Sequence, residues 1–246
     1  YVHVPLRTFL EGPYTAGTEM MRDDLRSQGL IPLTEPFTGL GFTHAGEGGG
    51  ETINASVLQT TGINAVVDWV LVELRTGTAA NTLLGTRSCL LLRGGTVVDK
   101  DGTSVPRITA PPGDYHIVLR HRNHLGAMTA QPITLGASQT TIDLSDPIVP
   151  LYGTEAMHTV SGVRVQWQGN TMRDGELKYT GLDNDRDPIL LQIGGIVATN
   201  VVTGYHVSDC NMDGRTKYTG LDNDRDPILV NIGGSVATNT RDEQVP

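Results

Sequence analysis

Hydrophobic and polar residues alternate over several short segments in the first two thirds of the chain. In segment 2–10, every second residue from Val2 to Leu10 is apolar or threonine, a spacing that places these side chains on one face of a β-strand. Similar strand-like runs occupy residues 64–75, 88–92, 96–99, 114–122, 133–135 and 140–144. Short strands separated by turn residues predict an antiparallel β-sandwich over residues 1–150.

A helix and a domain boundary interrupt this β pattern. The spacing of Met21 and Leu25 predicts a helix over residues 18–28, with Thr18 as its N-cap and Gly29 just beyond its end. Residues 146–153, DPIVPLYG, contain two prolines and a glycine that break the alternation. The sequence therefore predicts a second unit over residues 151–246, which opens with a single strand at 158–168.

The second unit contains an internal repeat. The segment KYTGLDNDRDPIL occurs at 178–190 and again at 217–229, an offset of 39 residues. Over 178–200 and 217–239, 20 of 23 positions are identical. Such close self-similarity is typical of a duplicated supersecondary unit, with copies at about 170–200 and 209–239.

The residues before the second copy match the opening of a calcium loop. Asp209, Asn211 and Asp213, followed by Gly214, give the pattern D-x-N-x-D-G. Calcium takes six to eight oxygen ligands, and alternate residues of such a loop direct their oxygens toward the ion. The glycine permits the sharp turn, and Arg215 at the seventh position supplies a backbone carbonyl.

A carboxylate near the start of a following helix is expected to close this loop. Asp226 is predicted to act both as metal ligand and as N-cap of a helix that ends at Gly233-Gly234. Asp222 and Asp224 are competing ligands. The span from Asp209 to Asp226 is 17 residues and exceeds the standard loop, so the sequence KYTGLD is interpreted as an insertion.

The first copy lacks part of this ligand set. The offset aligns Asp209 with Asn170, Asn211 with Met172 and Asp213 with Asp174. The thioether of Met172 is a poor ligand for calcium, because its sulfur is soft. The remaining candidate ligands are Asn170, Asp174, Asp183, Asp185 and Asp187, so one or two calcium ions are expected in all.

Charge restricts the classes of partner. The net charge of −9 disfavours nucleic acids and anionic membrane surfaces, and no apolar run approaches the length of a membrane span. Residues 169–246 contain 12 acidic and 7 basic residues, a net charge of −5. A bound cation would neutralise these carboxylates. The alternative is a set of solvated turns in which Arg186 and Arg225 pair with the flanking aspartates.

Cysteines and catalytic motifs add little. Cys89 and Cys210 could form one disulfide or remain two buried thiols. His121 and His124 are expected to face opposite sides of a strand and to play structural roles. The chain shows no nucleophile elbow, zinc helix or phosphate loop. Because it begins with Tyr1 and shows no signal peptide, we expect a mature chain or an excised domain.

Several stretches together carry a family resemblance: FLEGPY (9–14), GLIPLTEPFT (29–38), VVDWVLVELR (66–75), YHIVLRHRNHLGAM (115–128) and both KYTGLDNDRDPIL copies. The chain resembles the C-terminal portion of secreted bacterial surface proteins, adhesin-like in type, that carry dockerin-like calcium repeats. The resemblance implies a β-sandwich followed by a duplicated calcium-loop–helix module. The inserted residues and Met172 depart from the dockerin pattern and weaken any expectation of cohesin binding.

The expected function is therefore a secreted, non-catalytic structural or adhesive protein, stabilised by calcium, at the bacterial cell surface or outside the cell. It could self-associate into an extracellular filament, with a strand such as 2–10 added to the sheet edge of a neighbour. One alternative is a module that recognises a glycan or a protein at the cell surface. A polysaccharide hydrolase is disfavoured, because the acidic residues cluster in the repeats.

Overall fold

A curled eight-stranded β-sheet dominates the computed structural model, which describes residues 1–137 and 141–246. The chain is mainly β, with 30% strand and 12% helix. The strands are β1 Val2–His3, β2 Leu6–Arg7, β3 Tyr14–Thr15, β4 Met20–Met21, β5 Val66–Arg75, β6 Leu83–Leu92, β7 Thr96–Val98, β8 Arg107–Ile108, β9 Gly113–Arg120, β10 Ala127–Met128, β11 Ile133–Leu135, β12 Ile142–Asp143, β13 His158–Val160, β14 Val163–Val165, β15 Glu176–Lys178, β16 Val201–Thr203, β17 Arg215–Lys217 and β18 Thr240–Asp242. The helices are α1 Asp24–Ser27, α2 Arg186–Gln192 and α3 Arg225–Asn231, with 3₁₀ turns at Ala55–Gln59, Gly62–Asn64 and Ala80–Thr82.

The large sheet runs in the order β10-β9-β5-β6-β7-β2-β12, and β11 extends β9. All of its pairings are antiparallel except that of β12 with β2. Every residue of β5 is buried, because this strand pairs on both edges and is covered on both faces. The polar residues of β5, Asp68, Glu73 and Arg75, must therefore find partners inside the protein.

Most predicted strands are confirmed, with shifted ends. The structure has strands within the predicted segments 64–75, 88–92, 96–99, 114–122 and 133–135. In the predicted segment 140–144, β12 covers Ile142–Asp143, and Thr140 lies outside the described residues. Segment 2–10 divides into β1, β2 and a bridge at Leu10, and its alternate residues face the core as predicted.

Two local predictions are wrong. Residues 18–28 are not one helix: β3 and β4 form a hairpin and α1 is a single turn, although Gly29 does adopt the left-handed conformation after it. Met21 joins the hairpin because its backbone bonds Arg93 and its side chain is fully buried. Residues 158–168 are not one strand, because the chain reverses between β13 and β14.

One hydrophobic core extends across the predicted boundary at residue 150. Besides the inward residues of the large sheet, it contains Met157, Val165 and Met212. The predicted units 1–150 and 151–246 thus share buried apolar surface. Cys89 and Cys210 are both buried free thiols. No helix in the described ranges is long and apolar enough to span a bilayer.

Each repeat pairs one of its strands with a strand that follows the helix of the other repeat. β15 of the first repeat pairs with β18, which follows α3, while β17 of the second repeat pairs with β16, which follows α2. The exchange is reciprocal in side chains too: Thr180 Oγ1 donates to the carbonyl of Ala237 (2.8 Å), and Thr219 Oγ1 donates to that of Ala198 (2.9 Å). Equivalent residues of the two copies thus make equivalent contacts, which accounts for much of their identity.

Candidate metal centre in the second repeat

The second repeat begins with a tight loop whose side-chain oxygens converge. The Oδ1 atoms of Asp209 and Asn211 both accept the backbone N–H of Asp213, at 3.1 and 2.9 Å. Asp209 Oδ2 accepts the N–H of Gly214 (2.9 Å). Asp213 Oδ1 in turn accepts the N–H of Arg215 (2.8 Å). The loop thus brings the first, third and fifth positions of the predicted calcium pattern together.

Burial makes the carboxylate of Asp209 electrostatically costly. Asp209 is fully buried, and this burial raises its pKa to about 7 even though the guanidinium of Arg122 acts in the opposite direction. The nearby charge of Asp213 raises it further. A divalent cation would compensate this charge, and the oxygens of Asp209, Asn211 and Asp213, with the Arg215 carbonyl, are the hard ligands that calcium prefers. These residues fit the ion.

Asp224 has a different role, which it shares with Asp185 of the first repeat. Asp224 Oδ1 accepts the N–H of Cys210 (2.7 Å), and its Oδ2 accepts that of Lys217 (2.8 Å). In the first repeat, which lacks part of the calcium ligand set, Asp185 accepts the N–H groups of Met172 (3.0 Å) and Lys178 (2.8 Å), and these bonds match those from Asn211 (3.3 Å) and Lys217 to Asp224. This carboxylate therefore ties the loop to the following strand in both copies, whether or not the metal ligands are present.

The other predicted aspartates serve the helix starts and turns. Asp226 does not cap α3: the helix begins at Arg225 after Asp224, so that prediction is wrong. Asn223 instead accepts the N–H of Asp226 (2.9 Å) and donates to its carboxylate (2.8 Å). Asn184 and Asp187 repeat this arrangement at α2. Arg225 also pairs with Asp226, as the alternative of solvated turns predicts.

Asp222 and Asp183 occupy the equivalent exposed turn of each copy. Both adopt a left-handed backbone, with φ of 52° and 56°. The backbone carbonyl of Asp222 accepts the side-chain amide of Asn211 (2.9 Å), so this residue contacts the loop through its main chain. The corresponding Asp183 precedes Asn184 and α2. Neither aspartate makes a side-chain hydrogen bond to the two loops within the part of the chain that the structure describes.

The first loop keeps the backbone of the second but not its ligands. Arg173 and Gly175 are left-handed, as Met212 and Gly214 are in the second loop, and Asp174 Oδ1 accepts the N–H of Glu176 (3.0 Å). Asn170 nevertheless supplies only an amide, and Met172 supplies a thioether. Residues Asn170, Met172 and Asp174 therefore do not fit calcium as the second loop does.

Sequence reasoning missed a buried network beside the loop. His121 and His124 were expected to face apart, but their Nδ1 atoms lie 2.9 Å from each other because β9 ends at Arg120 and the chain then turns. His121 Nε2 donates to Asp68 (3.1 Å), and His124 Nε2 accepts the N–H of Gly12 (3.2 Å). Burial lowers the pKa of both rings, which favours their neutral forms.

Arg122 and Asn123 connect this network to the second loop. Arg122 Nε donates to Asp68 (2.9 Å), and its Nη1 donates to the carbonyl of His206. Asn123 donates to the carbonyls of Val207 (2.9 Å) and Asp209 (2.7 Å). The only sequence signal was the unusual polarity of HRNH after an apolar strand.

In residues 1–137 and 141–246, no three His, Cys, Asp or Glu side chains form a preformed metal cluster; the side-chain candidates of the second loop are two carboxylates and an amide. Comparison with models of protein families, with curated proteins and with solved structures finds no match.

Proposed function

We propose that this chain is a secreted, non-catalytic structural or adhesive protein whose second repeat binds one calcium ion. The supporting observation is the buried Asp209 carboxylate, whose oxygens lie beside Asn211 and Asp213 in a D-x-N-x-D-G loop. Extracellular calcium modules commonly bind at about 10⁻⁴–10⁻³ M, the concentration range outside cells. A site of that affinity would be filled outside cells, which supports the proposal of an extracellular location.

Calcium bound here would stiffen the whole protein. Met212, inside the loop, packs in the main hydrophobic core, and Asn123 bonds the carbonyl of Asp209. Metal binding that favours this folded loop therefore also favours the docked arrangement of repeat and sheet, because the two are joined by buried contacts. A rigid connection of this kind suits a protein that transmits force or displays a surface.

Self-association would use surfaces other than segment 2–10. β1 pairs with β8, and β2 lies between β7 and β12, so this segment is already paired within its own chain. Large exposed apolar side chains recur instead at equivalent repeat positions, including Leu182 and Leu221, and Leu191 and Val230. Sedimentation velocity in calcium and in EDTA tests this part: a single monomeric species at high concentration in both would refute it.

Replacing Asp213 by asparagine is expected to weaken calcium binding at least about tenfold, equivalent to about 1.4 kcal/mol. Isothermal titration calorimetry provides the measurement. The matched control is Asp174→Asn, because Asp174 occupies the same loop position and makes the same bond to the backbone two residues on. Equal affinities in both variants, or no heat of binding in the unmodified chain, would contradict the proposal.

A gain of function is expected from the first loop. The double substitution Asn170→Asp and Met172→Asn restores the D-x-N-x-D-G pattern on a backbone that already has the required left-handed residues. Titration of this variant should give two calcium ions per chain instead of one. Asn170→Asp alone is the control, since it leaves the thioether in place. A stoichiometry of one in the folded double variant would contradict the assignment of the ligand positions.

A further inference from the structure

The second loop is held in place by side chains that lie far from it in the chain. Three such side chains donate to backbone carbonyls of the loop, and each carbonyl belongs to a residue whose side chain is a candidate metal ligand. The bonds are those from Asn123 Nδ2 to Asp209 (2.7 Å), from Arg22 Nη2 to Asn211 (2.8 Å) and from Gln28 Nε2 to Asp213 (2.8 Å). We call these three donors the carbonyl clamp.

The amide of Asn123 is oriented by its other contacts. Asn123 is fully buried and lies in the turn after β9. His124 Nε2 accepts the N–H of Gly12 (3.2 Å), so in the neutral ring the proton is on Nδ1 and is donated to Asn123 Oδ1 (2.8 Å). The amide nitrogen of Asn123 therefore faces the loop, where it donates to the carbonyls of Val207 and Asp209.

The other two donors lie on either side of α1. Arg22 precedes the helix and is fixed by an ion pair with Asp24 (2.8 Å), whereas Gln28 follows the helix directly and is exposed. The loop also packs closely against Gly12, because a Cβ atom at that position would collide with the carbonyl oxygen of Cys210. The second loop is thus seated on residues from the first half of the chain.

The first loop has no equivalent of the carbonyl clamp. Its backbone resembles that of the second loop, with left-handed residues at the fourth and sixth positions. The three carbonyls that correspond to the clamped ones accept no hydrogen bond from residues 1–137 or 141–246; they are those of Asn170, Met172 and Asp174. The clamp therefore accompanies the loop that has the calcium ligands.

We propose that Arg22, Gln28 and Asn123 are positioning residues of the calcium site. This inference rests on the proposed calcium function. A clamped carbonyl fixes the peptide plane beside its own Cα atom, and so restricts where the ligand side chain on that Cα can point. Less ordering of the loop then opposes binding of the ion. The partners that hold metal ligands typically change metal affinity by about 10–100-fold when they are replaced.

The first test is calorimetric calcium titration of the full chain carrying Gln28→Leu. Leucine removes the donor without a change of charge, and the exposure of Gln28 allows the variant to fold. We expect calcium to bind at least about tenfold more weakly, with an unchanged melting temperature in EDTA. Gln59→Leu is the matched control, because Gln59 is also exposed but ends a 3₁₀ turn, and it should leave the affinity unchanged.

Bound terbium provides a readout that a merely structural role of Gln28 would not move. The luminescence decay of terbium(III), compared in H₂O and D₂O, counts the water molecules on the metal. We expect more bound water in Gln28→Leu than in the unmodified chain, because Asp213 is no longer held at the ion.

The second test compares two loops with the same ligands, of which only one is clamped. Asn170→Asp with Met172→Asn gives the first loop the ligand pattern of the second. We expect this loop to bind calcium at least about tenfold more weakly than the second loop, seen as two steps in the titration.

Equal affinities of the two loops would overturn the proposal. So would a Gln28→Leu variant that binds calcium as tightly as the unmodified chain and with the same number of bound water molecules. Both results leave calcium binding itself in place. Failure of the unmodified chain to bind calcium would overturn the proposed function as well, so the two failures are distinguishable.

Discussion

Replacing Asp68 by asparagine is expected to lower the free energy of unfolding by about 3–5 kcal/mol. Asp68 is 0% exposed and is the counter-charge of Arg122, which is equally buried. Burial acts to raise the pKa of Asp68, but Arg122 and the hydrogen bonds from His121 and Tyr205 outweigh it and lower the pKa to about 2. The neutral variant would leave the guanidinium of Arg122 buried and uncompensated.

Urea unfolding of the variant and of two controls measures this cost. Glu19→Gln removes a partner of Arg7 whose side chain is 62% exposed, so it should cost less than about 1 kcal/mol. Adding Arg122→Met to Asp68→Asn removes both charges and should restore much of the loss. If Asp68→Asn were as mild as Glu19→Gln, the Asp68–Arg122 pair would not hold the second repeat against the sheet.

The features that sequence could predict are local ones. β5, β6 and β9 follow from dense apolar patterns within ten residues, and the second loop follows from Asp209, Asn211 and Asp213, which are spaced two apart. The helix prediction at 18–28 failed because Met21 gains its partners from Arg93, 72 residues away. The hydrogen bonds of Asp68 could not be predicted for the same reason, because the Tyr205 hydroxyl that donates to Asp68 lies 137 residues away in the chain.

Several of the repeated aspartates have structural partners in both copies. All aspartates of DNDRD are candidate ligands because carboxylates suit calcium, yet both copies contain them while only the second copy contains Asp209 and Asn211. Residues that stay the same when the ligand set changes serve something common to both copies. In the two copies, Asp185 and Asp224 bond the loop to the following strand. An Asn–Asp pair also lies at the start of each helix. Comparing the two copies of the repeat separates these structural residues from the candidate calcium ligands.

The calcium-dependent stabilisation is expected to grow as the pH rises from 5 to 8. In the metal-free protein, burial raises the pKa of Asp209 to about 7, and burial together with the charge of Asp209 raises that of Asp224 to about 8. In the unfolded chain aspartates titrate near 4. The folded state therefore holds more protons than the unfolded state between about pH 4 and 8, and its stability falls as the pH rises through that window.

Calcium reverses this loss by displacing the protons, which adds about 1.4 kcal/mol per pH unit for each proton released. Unfolding free energies measured in excess calcium and in EDTA should thus diverge by about 3 kcal/mol between pH 5 and 7, as one proton is displaced from Asp209. Taking the difference at each pH cancels contributions common to both conditions. Those include His121 and His124, whose lowered pKa values make the protein less stable below about pH 6.5.

Asp209→Asn separates calcium binding from other causes of this divergence. The variant has no carboxyl at this position to titrate and one charged ligand fewer. Its unfolding free energies in calcium and in EDTA should therefore change with pH nearly in parallel. Burial also raises the pKa of Asp185 to about 7. Because Asp185 lies in the first repeat, its titration should change the unfolding free energy equally in calcium and in EDTA. A difference that is large at pH 5 and constant to pH 8 would mean that calcium binds elsewhere, since only a cation seated against Asp209 must compete with its proton.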